Sequence, residues 1–332
     1  MQDYNMYDKK SFVFGLILSC LPVAASAEQL VLGIIGDADR IAYLEKTLLQ
    51  PFTKTTGITV AISTFSEQEG ADEVTLLQRA IGEKWDFLTL NEAQALSLCE
   101  TGELIATGTT QKSQKSLLPE LSNMATCHSF NEPRTETIVY NLNAYQRDIP
   151  NHISAFFNTE RFPGKRAIAT EATGLLEMAL IAHGVPASQV YHLLSTLRGV
   201  ELAIDVFANI KSEILWTKDY AEAESLLADG SATMGVIELG ATAETEPRTE
   251  SEIAQPLNRL SATASIAQYT SWVPTAAGSG AATTIDQFVD YAKKSDLTIA
   301  PVNAGMRRDA EWYASVSPMI KSRLDSWSAA LQ

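Results

Sequence analysis

The chain has 332 residues, and 40 acids against 25 bases leave a formal charge of -15. Its length and its 45% hydrophobic, 20% charged composition fit about two globular domains and exclude a disordered or collagen-like chain. The acidic surplus excludes nucleic acid as a main partner and disfavours an anionic membrane face, because both need clustered Lys and Arg.

Lys9 and Lys10 precede the apolar run Ser11 to Ala25, and Ala25-Ser26-Ala27 is followed by Glu28. This is the pattern of a secretory signal peptide over 1–27, cleaved after Ala27 to leave a periplasmic protein. The run is shorter than the roughly 20 apolar residues of a spanning helix. Ile17-Leu18-Ser19-Cys20 offers an alternative, a lipid-anchored Cys20, although Leu18 fits a lipobox poorly. Cys99 and Cys127 remain after cleavage. In an oxidising compartment they predict a disulfide, with two buried free thiols as the alternative.

Gln29–Ile35 reads as a buried strand, and Tyr43–Thr55 as a helix stopped by Gly57. A strand at Ile58–Ile62 follows, then a helix with Val74, Leu77 and Ile81 on one face. Trp85–Leu90 is a third strand and Ala93–Cys99 a helix, while 108–133 reads as irregular. Thr137–Asn141 is a strand and a crossing between domains. The second half repeats the alternation: strand Arg166–Ala169, helix Gly174–His183, and one long helix from about Gln189 to Ser212. Next come strand Glu213–Trp216, helix Ala221–Ala228 and strand Thr233–Glu238. Glu244–Asn258 reads as an acidic surface loop, Tyr269–Val273 as a strand, and helices lie near Ile285–Lys294 and from Asp309 onward. Strands alternating with helices predict mostly parallel sheets that bind ligands beyond the carboxyl ends of their strands. That rule directs attention to the loops at Gly36–Arg40, Phe65–Gln68 and Asn91–Ala93.

Several stretches carry a family likeness. They are Pro51 to Val60, Lys84-Trp85-Asp86-Phe87, Glu100 to Ile105, Val139-Tyr140-Asn141, Phe162 to Ala167, Glu177 to Leu180 with Gly184-Val185, and Leu226 to Gly230 before Met234-Gly235. In order and spacing the chain resembles the periplasmic solute-binding proteins of ABC importers, in the spermidine/putrescine-type branch. The resemblance implies an α/β, two-lobed type II periplasmic binding protein fold, each lobe a mostly parallel sheet flanked by helices, joined by a hinge. Lobe one would be 28–138 plus 265–332, and lobe two 139–264. It also implies a small-molecule solute and an inner-membrane ABC permease as partners, a monomer, and no cofactor or metal. The polyamine pattern is nonetheless altered. Gly174 stands where that branch has a carboxylate, Glu238 where it has an aromatic, and Ala267 and Tyr269 where it has Trp and Asp.

The positions aligned with the cleft hold Asp37, Asp39, Asn91, Glu92, Glu136, Glu171 and Glu238. Several desolvated acids suit an amine or guanidinium ligand, although each singly also reads as a loop acid or helix cap. Arg40 and Arg134 suit a ligand carboxylate, or else neutralise neighbouring acids. Trp216 and Tyr269 could hold a cation over a ring or pack in the core, as Trp272 and Trp85 are expected to do. The four histidines, His128, His152, His183 and His192, lack metal-ligand spacing, and no G-x-S-x-G elbow or P-loop is present. An exported hydrolase stays as the alternative from another class, since a spatial triad leaves no sequence signature.

Overall fold

A computed structural model describes residues 28–36, 38–65, 73–100, 130–240, 257–261, 264–295 and 304–330. The first half runs β1 (Gln29–Ile35), α1 (Ala38–Leu44), a π-type stretch (Glu45–Leu49), α2 (Gln50–Thr56), β2 (Thr59–Phe65), α3 (Glu73–Glu83), β3 (Phe87–Asn91) and α4 (Glu92–Glu100). After β4 (Phe130–Asn141) come α5 (Ser154–Phe157), β5 (Arg166–Ala169), α6 (Leu175–Ala182), α7 (Val190–Leu194), α8 (Leu197–Ala208), β6 (Ile214–Thr217), α9 (Tyr220–Ala228) and β7 (Met234–Gly240). The remainder is β8 (Leu257–Arg259), β9 (Ser265–Pro274), α10 (Ala282–Ala292), β10 (Met306–Arg307), α11 (Ala310–Ser315) and α12 (Pro318–Ala329).

Among the described residues these strands form one sheet in the order β2-β1-β3-β9-β4-β7-β5-β6, with β10 added to β9 and β8 to β4. The outer strands of each half pair in parallel, as expected. The two halves meet through antiparallel pairs, β3 with β9, β9 with β4, and β4 with β7. Each half is buried on both faces. In the first, Leu30, Leu32, Phe52, Phe87, Trp272 and Phe288 pack on one face, and Ile35, Leu76, Trp85, Leu88 and Val273 on the other. In the second, Ile168, Leu180, Phe207 and Met234 face one way, and Val139, Ala167 and Leu227 the other. Alternate residues of one strand thus enter opposite cores, as a doubly covered sheet requires.

Three local expectations need correction. The inward face of α3 carries Leu76 and Ala80, while Ile81 is 67% exposed, because it lies about 100° further round the helix. The long helix expected from Gln189 to Ser212 breaks at Thr196, which is extended (φ -121°, ψ 142°) and accepts a hydrogen bond from the Gly199 N–H, restarting the chain as α8. The crossing strand begins at Phe130 rather than Thr137, so part of the supposed irregular stretch is regular. Both Trp85 and Trp272 are core side chains, as expected. The indole of Trp85 lies against Gly33, where a Cβ would come within 2.2 Å of the ring.

The segment 265–332 was expected in lobe one. Phe288 and Ala292 do pack in the first half, whereas Ile320, with Trp312, Leu324 and Trp327 beside it, packs against the core of the second. Residues 1–27, Cys127 and most of the 244–258 loop lie outside the described residues, as does the side chain of Cys99.

Candidate functional site

The site grows from β4, the strand that crosses between the halves. Side chains two apart share a face of a strand, so Glu132, Arg134 and Glu136 project together. Across from them on β9 stand Thr270, Gln268 and Ile266, and on β7 Glu238 is the direct partner of Glu136. A charged row therefore runs along the strands that join the lobes.

Arg40, on α1, enters this row from the first half. Its Nε donates to the Ile35 carbonyl at 2.8 Å, and its Nη1 and Nη2 donate to the two Glu132 oxygens at 2.6 and 2.7 Å. The Trp272 indole N–H adds a third donor to Glu132 at 3.1 Å. Burial raises the Glu132 carboxyl, but the Arg40 and Arg134 guanidiniums and the indole outweigh it and hold the group below the usual carboxylate range. Gly36 (φ 139°) makes room for this arm, since a Cβ there would lie 2.3 Å from Arg40 Cδ.

Arg134 pairs with Glu238 and donates to the Thr270 hydroxyl at 3.4 Å. Here the balance is reversed. Burial lifts the Glu238 carboxyl to about 7, against the lowering pull of Arg134 and Arg40 and with a further push from Glu136. Glu136, fully buried, accepts from the backbone N–H groups of Thr173 (2.8 Å) and Gly174 (2.7 Å), the Thr173 hydroxyl (2.8 Å), the Tyr220 hydroxyl (2.9 Å) and Gln268 Nε2 (3.1 Å). The second half thus contributes the start of α6 and the first residue of α9.

The remaining expected residues are placed as follows. Glu171 lies next to this cluster and accepts from the Tyr220 N–H at 3.1 Å. Glu92 is buried and receives Arg307 Nη2 at 2.8 Å; burial nevertheless keeps its carboxyl above the usual range. The same guanidinium stands 4.9 Å over the ring of Tyr269, so these two residues form a second group around Arg307. Asn91 opens α4 by accepting from the Gln94 N–H at 2.9 Å and donating to the Gln94 side chain. Trp216 is half-buried against the core of the second half. Asp37 lies outside the described residues, as does the side chain of Asp39.

Sequence reasoning missed Glu132, Thr173, Tyr220 and Gln268. The alternation Glu132-x-Arg134-x-Glu136 was the available signal, and extending the strand two pairs toward its start would have found Glu132. Among the described residues no group of His, Cys, Asp and Glu is arranged to hold a metal ion.

Two α/β halves joined by antiparallel crossing strands, with a polar row on those strands, make the fold of the type II periplasmic binding proteins. The model of the family described as bacterial extracellular solute-binding proteins matches residues 47–247, well over half the chain, and the protein belongs to that family. A γ-aminobutyric acid-binding protein of Pseudomonas aeruginosa is 36% identical over 85 residues, 26% of this chain and 24% of that protein, so the match spans about a quarter of that relative. A solved GABA receptor, Atu4243, has 20% identity and a TM-score of 0.65, covering 91% of this chain and 98% of its own. A solved spermidine/putrescine substrate-binding protein, PotD of Streptococcus pneumoniae, has 15% identity and a TM-score of 0.60, covering 91% of this chain and all of its own. These likenesses bear out the expected fold, and the family match bears out the expected kind of solute-binding protein.

Proposed function

We propose that the protein is the periplasmic receptor of an ABC importer, and that it captures a small amine-bearing, amino-acid-like solute between its lobes for an inner-membrane permease. The observation that carries the reading is Glu238. It is a largely buried carboxylate on the crossing strands that Arg134 and Arg40 together leave under-neutralised, with the carboxylate of Glu136 opposite it. A ligand ammonium would supply the missing positive charge, and desolvated charged pairs of this kind are strong. The Pseudomonas relative and the Atu4243 receptor, both named for γ-aminobutyric acid, support a solute bearing both an amine and a carboxylate.

Arg134, Glu238 and Gln268 are assigned to the solute, with the enclosed Glu136 behind them, Glu171 beside them and Tyr269 at the margin. Arg40 is assigned to structure, because all three of its donor nitrogens already have partners. This weighs against a purely anionic ligand gripped by two arginines. In this reading lobe one is 28–138 with the return through α10, lobe two is 139–264, and the segment from β10 onward ties them together. Closure around the solute is the signal the permease reads, and no bond is made or broken. Export by the 1–27 signal and a Cys99–Cys127 bridge complete the reading, and the mass of the secreted protein before and after reduction checks both.

Isothermal titration with γ-aminobutyric acid, putrescine and succinate tests the assignment. The amines should bind and succinate should not, and E238Q should lose amine affinity. Binding of succinate alone would refute it.

A further inference from the structure

The carboxylate of Glu136 has an unusual set of partners. Five donor groups stand within hydrogen-bond distance of it, two backbone N–H groups, two hydroxyls and one amide, all neutral, with the Thr173 hydroxyl sharing its one proton between Glu136 and Gln268 Oε1 at 2.6 Å. Two of those donors, the N–H groups of Thr173 and Gly174, open the eight-residue helix α6. Gly174 leaves the space for it, since a Cβ at that position would come 2.9 Å from Glu136 Oε2 and 3.1 Å from Ile266. Burial and the charges of Glu136, Glu238 and Glu171 push the Tyr220 phenol well above its ordinary range, so it remains a donor. The cluster is complete: one carboxylate, supplied by the crossing strand, fills a set of donors built by the second half.

We infer that Glu136 is a specificity-determining residue of the cleft, a resident carboxylate that occupies the donor set at the start of α6 and excludes a solute's own carboxylate from it. A second carboxylate there would be desolvated with no donors left, beside a negative charge, and both conditions are unfavourable. What this half leaves for a solute is Glu238, 12% exposed, with the enclosed Glu136 as its direct partner across β4 and β7. That pair selects an ammonium end and leaves any carboxylate end of the solute to the side of Arg134. The inference rests on the reading of this cleft as the solute site, and it adds which end of the solute each side receives.

Chemical rescue tests it independently of any solute. E136A vacates the donor set and should lower the Tm by several degrees. Sodium formate, compared with sodium chloride at equal ionic strength, should restore about half or more of that loss by mass action and leave the wild type unmoved. Formate that stabilises both proteins equally, or neither, would overturn the inference. If E136A does not fold in chloride, refolding in formate gives the same readout. If it folds in neither, E136Q decides: its affinity for γ-aminobutyric acid should fall by about tenfold, the worth of one strong hydrogen-bonded charge, and an unchanged affinity would overturn the inference. Failure of the wild type to bind any amine would refute the proposed function while leaving the formate result standing.

Discussion

Substituting Glu238 by Gln should remove a pH dependence whose size follows from its surroundings. The Glu238 side chain is 12% exposed, faces Arg134 and Glu136 from β4 and Gln268 from β9, and feels Arg40 from α1. Burial lifts its carboxyl from the ordinary 4.5 to about 7. Below pH 4.5 the group is protonated in both folded and unfolded chains and costs nothing. Between 4.5 and about 7 the unfolded chain releases the proton and the folded one keeps it, so stability falls as pH rises and levels off above 7. At ~1.4 kcal/mol for each pH unit of that interval, the loss is ~3 kcal/mol, less what solvent at the exposed edge returns. For a chain of this size that corresponds to a Tm difference of about 6–10 °C. Thermal melts of wild type and E238Q from pH 4.5 to 8 read the difference directly. The raised carboxyls of Glu92 and Glu177 cancel between the two proteins, and Glu132, held below the usual carboxylate range, titrates beneath the interval scanned. Parallel curves for the two proteins would refute the argument. A solute ammonium should reverse the preference and displace the proton, so amine affinity should fall about tenfold per pH unit below 7.

R40A should cost ~3–5 kcal/mol, because Glu132 would be left buried without its two-pronged guanidinium partner; urea unfolding measures it. The same pair sets a limit on the acid side: Glu132 lies below the usual carboxylate range, so its stabilisation is present above that range and is lost as pH falls through its lowered pKa. Deletion of the Thr196 cap in T196A should cost about 1 kcal/mol. G199A should cost more, ~1–3 kcal/mol, since its Cβ would come 2.1 Å from the Leu193 carbonyl oxygen, which is backbone and has little freedom to yield.

Much of the fold is legible because the alternation of buried strands and one-faced helices is set locally. Leu30, Leu32 and Ile34, or Leu44, Leu48 and Phe52, announce their faces by spacing alone. The start of β4 was hidden by Pro133, which lacks a ladder donor. Among the described residues β7 meets β4 only from Arg134 onward, so Pro133 lies where β4 has a described partner, β9, on one side only. The helix break at Thr196 depends on a cap that resembles any other polar residue in a periodic run. In the site, Glu136 and Glu238 were expected as cleft acids and stand as direct partners across β4 and β7, but their other partners left no signal. Glu132 finds Arg40 across 92 residues, and Glu136 finds Tyr220 across 84. Such pairings are products of the sheet order and leave no local trace. The placement of the C-terminal helix against Phe207 is of the same kind.

The central claim is that the crossing-strand acids select an amine. Calorimetric titration of the mature protein at pH 8 with γ-aminobutyric acid and with succinate tests it most directly. The account predicts saturable binding of the amine, weakened at least about tenfold in E238Q by loss of one charge-assisted hydrogen bond, and no heat from succinate. Succinate binding in the wild type, with γ-aminobutyric acid and putrescine both silent, would contradict it.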